Sequence, residues 1–261
     1  MRVTLVPSAP GTHPGTQDAT RSYLTTFVVD DVLAIDAGCL GLHGEPDDQA
    51  RIDHVFLTHS HADHTGTLPV FVENVYPARE QPVVVHGHSA TLQALRTDVF
   101  NDRIWPDFVE RLPGEGSRSF LELRPCAPGK PVQAGPHVVT PVPVDHVVPT
   151  YGYLVDDGAD AVVFGGDSGP TEALWDLARQ HGRVRAVFLE CSFPDELAGL
   201  AEVSAHLTPR LLAAEAAKAP PGAAIVAVHI KPRYRRQIVA ELEALGLPRL
   251  RIGAPGETLA F

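Results

Sequence analysis

Short apolar runs separated by glycine, proline, aspartate and asparagine constrain the fold of this chain more than any other feature of its sequence. Such runs, rich in valine and other β-branched residues, are typical of β-strands joined by turns. The predicted strands cover residues 3–6, 24–29, 32–35, 55–58, 83–85, 138–144, 151–155, 161–164, 186–189 and 225–229. Because the 22 glycines and 24 prolines are spread along the whole chain, a helical bundle is disfavoured.

Helical patterns lie between the later strands. Each is opened by an N-cap-type residue or proline, or closed by glycine or proline. The predicted helices cover residues 90–99, 170–181, 208–219 and 235–245. The first half of the chain is mostly strands and the regular helices come later, so a barrel with strict strand–helix alternation fits poorly. We expect about ten strands in two sheets flanked by helices, which is a layered α/β sandwich.

The chain has 261 residues, and no linker-like, repetitive or like-charged segment divides it. We therefore interpret residues 1–261 as a single domain. No apolar run approaches the roughly 18 residues needed to span a bilayer, and the first residues lack a hydrophobic signal core. Cys39, Cys126 and Cys191 are widely spaced and odd in number, which suits a reducing compartment. These features predict a soluble, cytoplasmic protein without a membrane partner.

The formal net charge is −11 at pH 7, from 21 basic and 32 acidic side chains. A surface this negative repels long polyanions unless a local patch reverses the sign. Large nucleic acids are therefore poor candidate partners. Against this background the 13 histidines are numerous, and several stand beside acidic residues or prolines, which is the first indication of metal binding.

The strongest motif occupies residues 58–64, which read Thr-His-Ser-His-Ala-Asp-His and follow an apolar run directly. It places four metal-ligand side chains on one loop at a strand end. In a non-helical turn, His59 and His61 can point at one metal ion while Asp63 and His64 point at a second. The motif therefore predicts a site for two metal ions.

This motif resembles the HxHxDH loop of the metallo-β-lactamase superfamily, and the resemblance implies an α/β fold, the four-layer αββα metallo-β-lactamase sandwich. The family draws further ligands from separate strand ends. Its pattern is matched in order by His146, Asp167 and His229, each of which follows a predicted strand. The resemblance implies that His146 completes the first site, Asp167 bridges both ions and His229 completes the second. It also implies that Asp36 orients the metal-binding loop without being a ligand.

Four further segments resemble the class II cyclic-nucleotide phosphodiesterases. They are residues 100–108 (FNDRIWPDF), 190–193 (ECSF), 206–209 (HLTP) and 229–232 (HIKP). The chain departs from that family at Ala205, where a glycine usually precedes the HLTP segment. The first segment predicts substrate contacts by Asn101 and Trp105, although its aromatic residues could equally anchor a loop in the core. Lys231 opens a basic cluster that could attract a phosphate ester or form a solvated helix start.

The predicted chemistry follows from two divalent ions. A histidine-rich, carboxylate-poor ligand set favours Zn²⁺, although iron or manganese also suits imidazole. A hydroxide bridging the two ions would attack phosphorus, and Asp63 could hydrogen-bond that hydroxide as well as bind the second ion. Because a ribose 3′-alkoxide leaves poorly, we expect His206 to protonate it while Glu190 holds the imidazole tautomer. The alternative is that His206 caps or packs the helix after it.

The favoured function is hydrolysis of 3′,5′-cyclic AMP or cyclic GMP to the 5′-monophosphate, with a small cyclic nucleotide as substrate. The alternative is an RNase Z-like ribonuclease or another phosphodiesterase of the same fold, which the acidic charge disfavours. A metal-free binding protein is the third alternative, and the complete set of seven ligand-type residues argues against it. Relatives commonly form homodimers, but the sequence has no interface signature.

Overall fold

The computed structural model describes residues 1–8, 23–109 and 119–261. Within these ranges the chain forms fourteen strands in two sheets of seven. The strands are β1 (Arg2–Leu5), β2 (Phe27–Val29), β3 (Leu33–Ile35), β4 (His54–Phe56), β5 (Val83–Gly87), β6 (Leu121–Pro125), β7 (Val132–Ala134), β8 (His137–Val144), β9 (Thr150–Asp156), β10 (Ala161–Phe164), β11 (Val184–Glu190), β12 (Ala224–Val228), β13 (Leu250–Ile252) and β14 (Thr258–Ala260).

Helices cover the outer faces of both sheets. They are α1 (Pro46–Gln49), α2 (Ala62–Thr65), α3 (Leu68–Val75), α4 (Ser89–Ala94), α5 (Ala173–His181), α6 (Ala198–Val203), α7 (Pro209–Ala216) and α8 (Arg235–Ala244). The side chain of Thr208 caps α7 by accepting a hydrogen bond from the backbone N–H of Leu211. Among the helices of the described ranges, none is long and apolar enough to cross a membrane.

The two sheets have related topologies. The first has the order β14-β1-β2-β3-β4-β5-β6, and the second has the order β13-β12-β11-β10-β9-β8-β7. Strands β3 to β6 run parallel, as do β10 to β13, while the rest of each sheet is antiparallel. Consecutive parallel strands end at the same edge, so the loops that follow β3, β4, β10, β11 and β12 collect there.

Three buried apolar clusters separate four layers in the described residues. The central cluster lies between the sheets, where Phe27 contacts Phe164 and Phe188 at ring-centroid distances of 5.1 and 5.5 Å. One outer cluster joins the first sheet to α3 through Phe71. The other joins the second sheet to α5 through Trp175, whose side chain is fully buried. This arrangement confirms the predicted αββα sandwich.

All ten predicted strands are present within a few residues of their predicted bounds, but the structure adds β6, β7, β13 and β14. The last two are three residues long, with the sequences LRI and TLA; β13 has one exposed and two half-buried side chains, and β14 has two exposed side chains. Such short edge strands carry little apolar signal of their own, because pairing with a neighbouring strand defines them. Helix α3 was also absent from the prediction, since its eight-residue run LPVFVENV is largely apolar, and periodicity does not distinguish a helix from a strand in so short a run.

Candidate metal centre

The predicted ligands converge at one rim of the sandwich. Loops after β4, β8, β10 and β12 bring together His59, His61, Asp63, His64, His146, Asp167 and His229. Their donor atoms form two groups, and within each group the atoms lie within 4.8 Å of one another. Asp63 and His229, which are 166 positions apart in the chain, therefore meet in one place.

The first group consists of three imidazoles. Nε2 of His59 lies 2.9 Å from Nδ1 of His61, and Nε2 of His146 lies 3.5 Å from the same nitrogen. Burial, followed by the nearby His64, lowers the pKa of His59 to about 2. A neutral imidazole keeps the lone pair that a metal ligand needs, so this group has the chemistry of a three-histidine site.

The second group combines two carboxylates with two imidazoles. Nε2 of His64 lies 3.3 Å from Oδ1 of Asp167 and 3.8 Å from Oδ2 of Asp63. Nε2 of His229 lies 3.2 Å from the same oxygen of Asp63. Burial opposes ionisation of Asp167, but His229 and His64 outweigh it and hold the pKa of Asp167 well below its usual value. An ionised carboxylate among imidazoles suits a divalent cation.

Two buried atoms of the second group test whether the residues fit a metal ion. Nε2 of His64 and Oδ1 of Asp167 are buried without a hydrogen-bond partner in the described chain. Buried polar atoms are normally hydrogen-bonded, because an unsatisfied one costs about 1–3 kcal/mol. A cation between them would satisfy both, so the arrangement fits a metal ion.

A change of backbone conformation separates the two halves of the 58–64 motif. His61 is extended at φ −62° and ψ 147°, and α2 begins at Ala62, so Asp63 and His64 are helical. The expected non-helical turn is therefore wrong for the second half. The switch from extended to helical backbone directs the side chains to two groups.

Contacts outside the centre select the ring nitrogen that His59 and His64 present to it. Thr58 donates its backbone N–H to Asp36 at 2.7 Å and its hydroxyl at 2.9 Å. The same hydroxyl oxygen lies 3.0 Å from Nδ1 of His59, while Asp36 lies 2.7 Å from Nδ1 of His64. Because these acceptors engage Nδ1, the Nε2 atoms face the centre. Asp36 thus occupies the orienting position predicted for it.

His146 is oriented by a backbone carbonyl, since its Nδ1 lies 3.2 Å from the oxygen of Ala205. Ala205 has φ +50°, in the left-handed region that glycine adopts most easily. The sequence departure at this position therefore leaves the glycine-like backbone in place. The carbonyl of Ala205 consequently still reaches the metal-binding rim.

His206 and Glu190 form a buried pair beside both groups. Nδ1 of His206 lies 2.5 Å from Oε1 of Glu190. Glu190 also accepts hydrogen bonds from the backbone N–H groups of Ser168 and Ser192. Burial disfavours protonation of His206, but the hydrogen bond and charge of Glu190 outweigh it and raise the pKa of His206. One donor atom of His206 lies within 4.8 Å of donor atoms of His146 and Asp167. The pair therefore stands where a proton could reach a ligand at the centre.

The family assignment rests on a match to most of the chain. A model described as "Beta-lactamase superfamily domain" matches residues 28–230, which include every residue of both groups. The chain belongs to the β-lactamase superfamily.

Individual relatives narrow the comparison within the superfamily. A probable 3′,5′-cyclic-nucleotide phosphodiesterase of Yersinia pestis is 24% identical over 222 residues, covering 74% of this chain and 62% of the relative. The 3′,5′-cyclic-nucleotide phosphodiesterase 1 of Saccharomyces cerevisiae is 28% identical over 259 residues, covering 80% of this chain and 67% of the relative. The chain thus spans less than two thirds of the length of the Yersinia protein.

The crystal structure of unliganded yeast PDE1 has the same fold as this chain. The two superpose with a TM-score of 0.75 at 19% sequence identity, covering 100% of this chain and 99% of the yeast chain. This likeness extends the superfamily fold over the whole of the described structure.

The three predicted substrate contacts occupy different places in the structure. The ammonium of Lys231 lies 5.5 Å from the ring centroid of Phe193, which packs against His206 at 5.5 Å, so Lys231 stands beside the centre. The side-chain amide of Asn101 instead bonds backbone groups of its own loop. Trp105 packs against the outer cluster of the first sheet. Substrate contacts by these last two residues stay predictions.

A cleft lies next to the two ligand groups, on the side of His206. It has a volume of about 640 Å³ and runs between α6 and α7. Asp145, Asp195, Glu202 and Arg210 provide its charged side chains, and alanines form much of its wall. Cavities of roughly 300–1,000 Å³ are typical of small-molecule sites.

Two residues that contact histidines of the ligand groups, Thr58 and Ser192, were missed by the sequence analysis. Ser192 is fully buried, with its hydroxyl oxygen 3.0 Å from Nδ1 of His229. Thr58 begins the motif itself, so its position beside two histidines was a usable signal. Ser192 lies in the phosphodiesterase-like segment 190–193, but that segment does not indicate its partner, which lies 37 positions further along the chain.

Proposed function

We propose that this chain is a dinuclear-metal phosphodiesterase that hydrolyses 3′,5′-cyclic nucleotides to nucleoside 5′-monophosphates. The observation that carries the proposal is the arrangement of two adjacent ligand groups with a buried histidine–glutamate pair at their border. A phosphodiester needs charge stabilisation at phosphorus and a proton for its leaving oxygen. This rim offers side chains suited to both tasks.

We assign His59, His61 and His146 to the first ion and Asp63, His64 and His229 to the second, with Asp167 bridging. The histidine-rich set favours Zn²⁺, and iron or manganese also suits imidazole ligands. When bound, two such ions would activate water and neutralise charge on the phosphodiester. Asp63 keeps a second role in the proposal, as a hydrogen-bond acceptor for the attacking water.

The proton for the leaving 3′-oxygen comes from His206 in this proposal. Glu190 accepts a hydrogen bond from Nδ1 of His206, which leaves Nε2 as the nitrogen available to the substrate. The carboxylate also stabilises the protonated ring, so proton donation returns His206 to a neutral state still held by Glu190. Lys231 lies close enough to this pair to attract an anionic ester.

The size of the adjoining cleft supports a nucleotide substrate. Since the cleft reaches His206, a ribose whose 3′-oxygen receives the proton would extend into it. The two curated relatives are named for cyclic-nucleotide hydrolysis, which supports the same class of small-molecule substrate. A cytoplasmic location and a homodimer stay predictions.

Turnover with defined metal content tests this function. The purified protein is stripped with a chelator, reloaded with Zn²⁺, and assayed with cyclic AMP, cyclic GMP, bis-p-nitrophenyl phosphate and a short single-stranded RNA. We expect two bound ions and 5′-monophosphate from a cyclic nucleotide. Cleavage of the RNA with intact cyclic nucleotides would instead identify a ribonuclease of the same fold, and failure to bind metal would reject the enzyme altogether.

A further inference from the structure

The hydroxyl of Ser192 makes two contacts with a single ligand of the second group. Its oxygen lies 3.0 Å from Nδ1 of His229 and 3.4 Å from the backbone carbonyl oxygen of the same residue. Ser192 is fully buried, so water does not compete for these contacts. His229 has φ +51°, an uncommon backbone conformation for a histidine.

The donors and acceptors at this contact determine the tautomer of His229. A serine hydroxyl has one hydrogen, and the carbonyl oxygen within its reach can only accept a hydrogen bond. A hydroxyl that donates to this carbonyl accepts from the ring, and that arrangement places the proton of the neutral imidazole on Nδ1. Nε2, which lies 3.2 Å from Oδ2 of Asp63, is then the nitrogen that would bind a cation at the second site.

The same arrangement recurs at three other ligands through different acceptors. Nδ1 faces a hydroxyl in His59, a carboxylate in His64 and a backbone carbonyl in His146. Each acceptor leaves Nε2 to face the centre. Ser192 plays the corresponding part for the last ligand in the chain.

We propose that Ser192 is a positioning residue whose hydroxyl holds His229 in the Nδ1-protonated tautomer and so maintains affinity at the second metal site. This inference rests on the two-ion centre of the proposed function and goes beyond it. The backbone N–H of Ser192 serves a separate task, since it donates to Oε2 of Glu190 at 2.9 Å. An alanine at this position keeps that N–H, so it removes the contact with His229 and leaves the carboxylate that holds His206.

Zinc titration of Ser192→Ala tests the role of the hydroxyl. Orienting partners of a ligand typically contribute about 10- to 100-fold in metal affinity, so we expect one of the two zinc dissociation constants to rise by that factor. The matched control is Cys191→Ala, which removes a neighbouring buried side chain that packs in the outer cluster of the second sheet. It should retain both dissociation constants.

NMR of the histidine ring nitrogens provides a second measurement in zinc-free protein. The Nδ1-protonated share of His229 should be larger in the wild type than in Ser192→Ala, because the variant loses the hydroxyl beside Nδ1 and keeps the carboxylate of Asp63 beside Nε2. Unchanged tautomer and unchanged affinity in a folded variant would overturn the assignment. Zinc alone is the probe, so this test does not depend on the substrate. If Ser192→Ala binds zinc more weakly while the wild type does not hydrolyse cyclic nucleotides, the proposed substrate is rejected and the positioning role of Ser192 stands.

Discussion

Oδ2 of Asp63 lies 3.2 Å from Nε2 of His229, a residue 166 positions further along the chain. Asp63 lies in α2, which follows β4 of the first sheet, and His229 directly follows β12 of the second. A cation held by both residues would therefore tie the two sheets together at their shared rim. Because the unfolded chain cannot form such a site, binding of that cation favours the folded state.

Removal of metal should lower the thermal stability of the protein. A ligand at 100 times its dissociation constant adds about 2.7 kcal/mol to the free energy of unfolding, which corresponds to a Tm shift of roughly 5–10 °C for a chain of this size. Calorimetry with Zn²⁺ and with a chelator measures the shift. His181→Asn is a control, because His181 pairs with Asp156 and does not belong to either ligand group. This variant should keep the full Tm shift. An identical Tm with and without Zn²⁺ would contradict a folded-state metal site.

Asp167→Asn should depress turnover while leaving the fold intact. The amide has nearly the same shape as the carboxylate but no charge. The repulsion between two bound cations would therefore be less well neutralised. We expect a loss of about two orders of magnitude or more in kcat. Circular dichroism checks the fold, and elemental analysis gives the metal content. Normal turnover with two bound ions would reject the bridging role.

His206→Ala should affect substrates according to their leaving groups. General acid catalysis contributes about 10²- to 10⁴-fold, so kcat for cyclic AMP should fall within that range. A nitrophenolate departs without protonation, and hydrolysis of bis-p-nitrophenyl phosphate should fall by less than about tenfold. Parallel kinetics on both esters provide the comparison. Equal losses would remove His206 as the acid and favour a helix-packing role.

Gly38→Ala should disrupt the approach of the motif loop to the first sheet. An added Cβ would lie 1.9 Å from the backbone oxygen of Asp63, which must then move. We expect destabilisation of several kcal/mol, about the upper range for single substitutions, together with weaker zinc binding. Gly199→Ala is the matched control, because its Cβ meets open space in α6 and should stabilise the helix by about 0.5–1 kcal/mol. Equal denaturation midpoints of the two variants would contradict the close approach.

The cysteines should resist alkylation until the protein unfolds. Burial raises the pKa of the Cys39 thiol to about 12 and that of Cys126 to about 11, and it also raises the pKa of Cys191. The reactive thiolate is therefore scarce at pH 8 and inaccessible as well. Mass spectrometry after iodoacetamide treatment, with and without denaturant, measures this. Cys126, at 9% exposed, should react first; rapid labelling of Cys39 in the native protein would contradict its burial.

Local apolar pattern was sufficient for the strands that form the interior. Residues 161–164 read Ala-Val-Val-Phe and form β10 with the predicted bounds, because a strand buried on both faces is apolar throughout. The edge strand β14 could not be predicted in this way, since two of its three side chains are exposed and pairing with β1 defines it. The cluster at residues 58–64 was visible for the opposite reason, because its ligands are adjacent in the chain.

The sequence by itself determined the ligand-type residues, their order at strand ends and the layered fold, because each of these depends on side-chain type and short spacing. Only the tertiary structure decided which ring nitrogen faces the centre. That choice depends on acceptors such as the hydroxyl of Ser192 and the carbonyl of Ala205, which lie 37 and 59 positions from the histidines they orient. A hydrogen bond forms over about 3 Å whatever the separation along the chain, so folding alone brings these partners within reach.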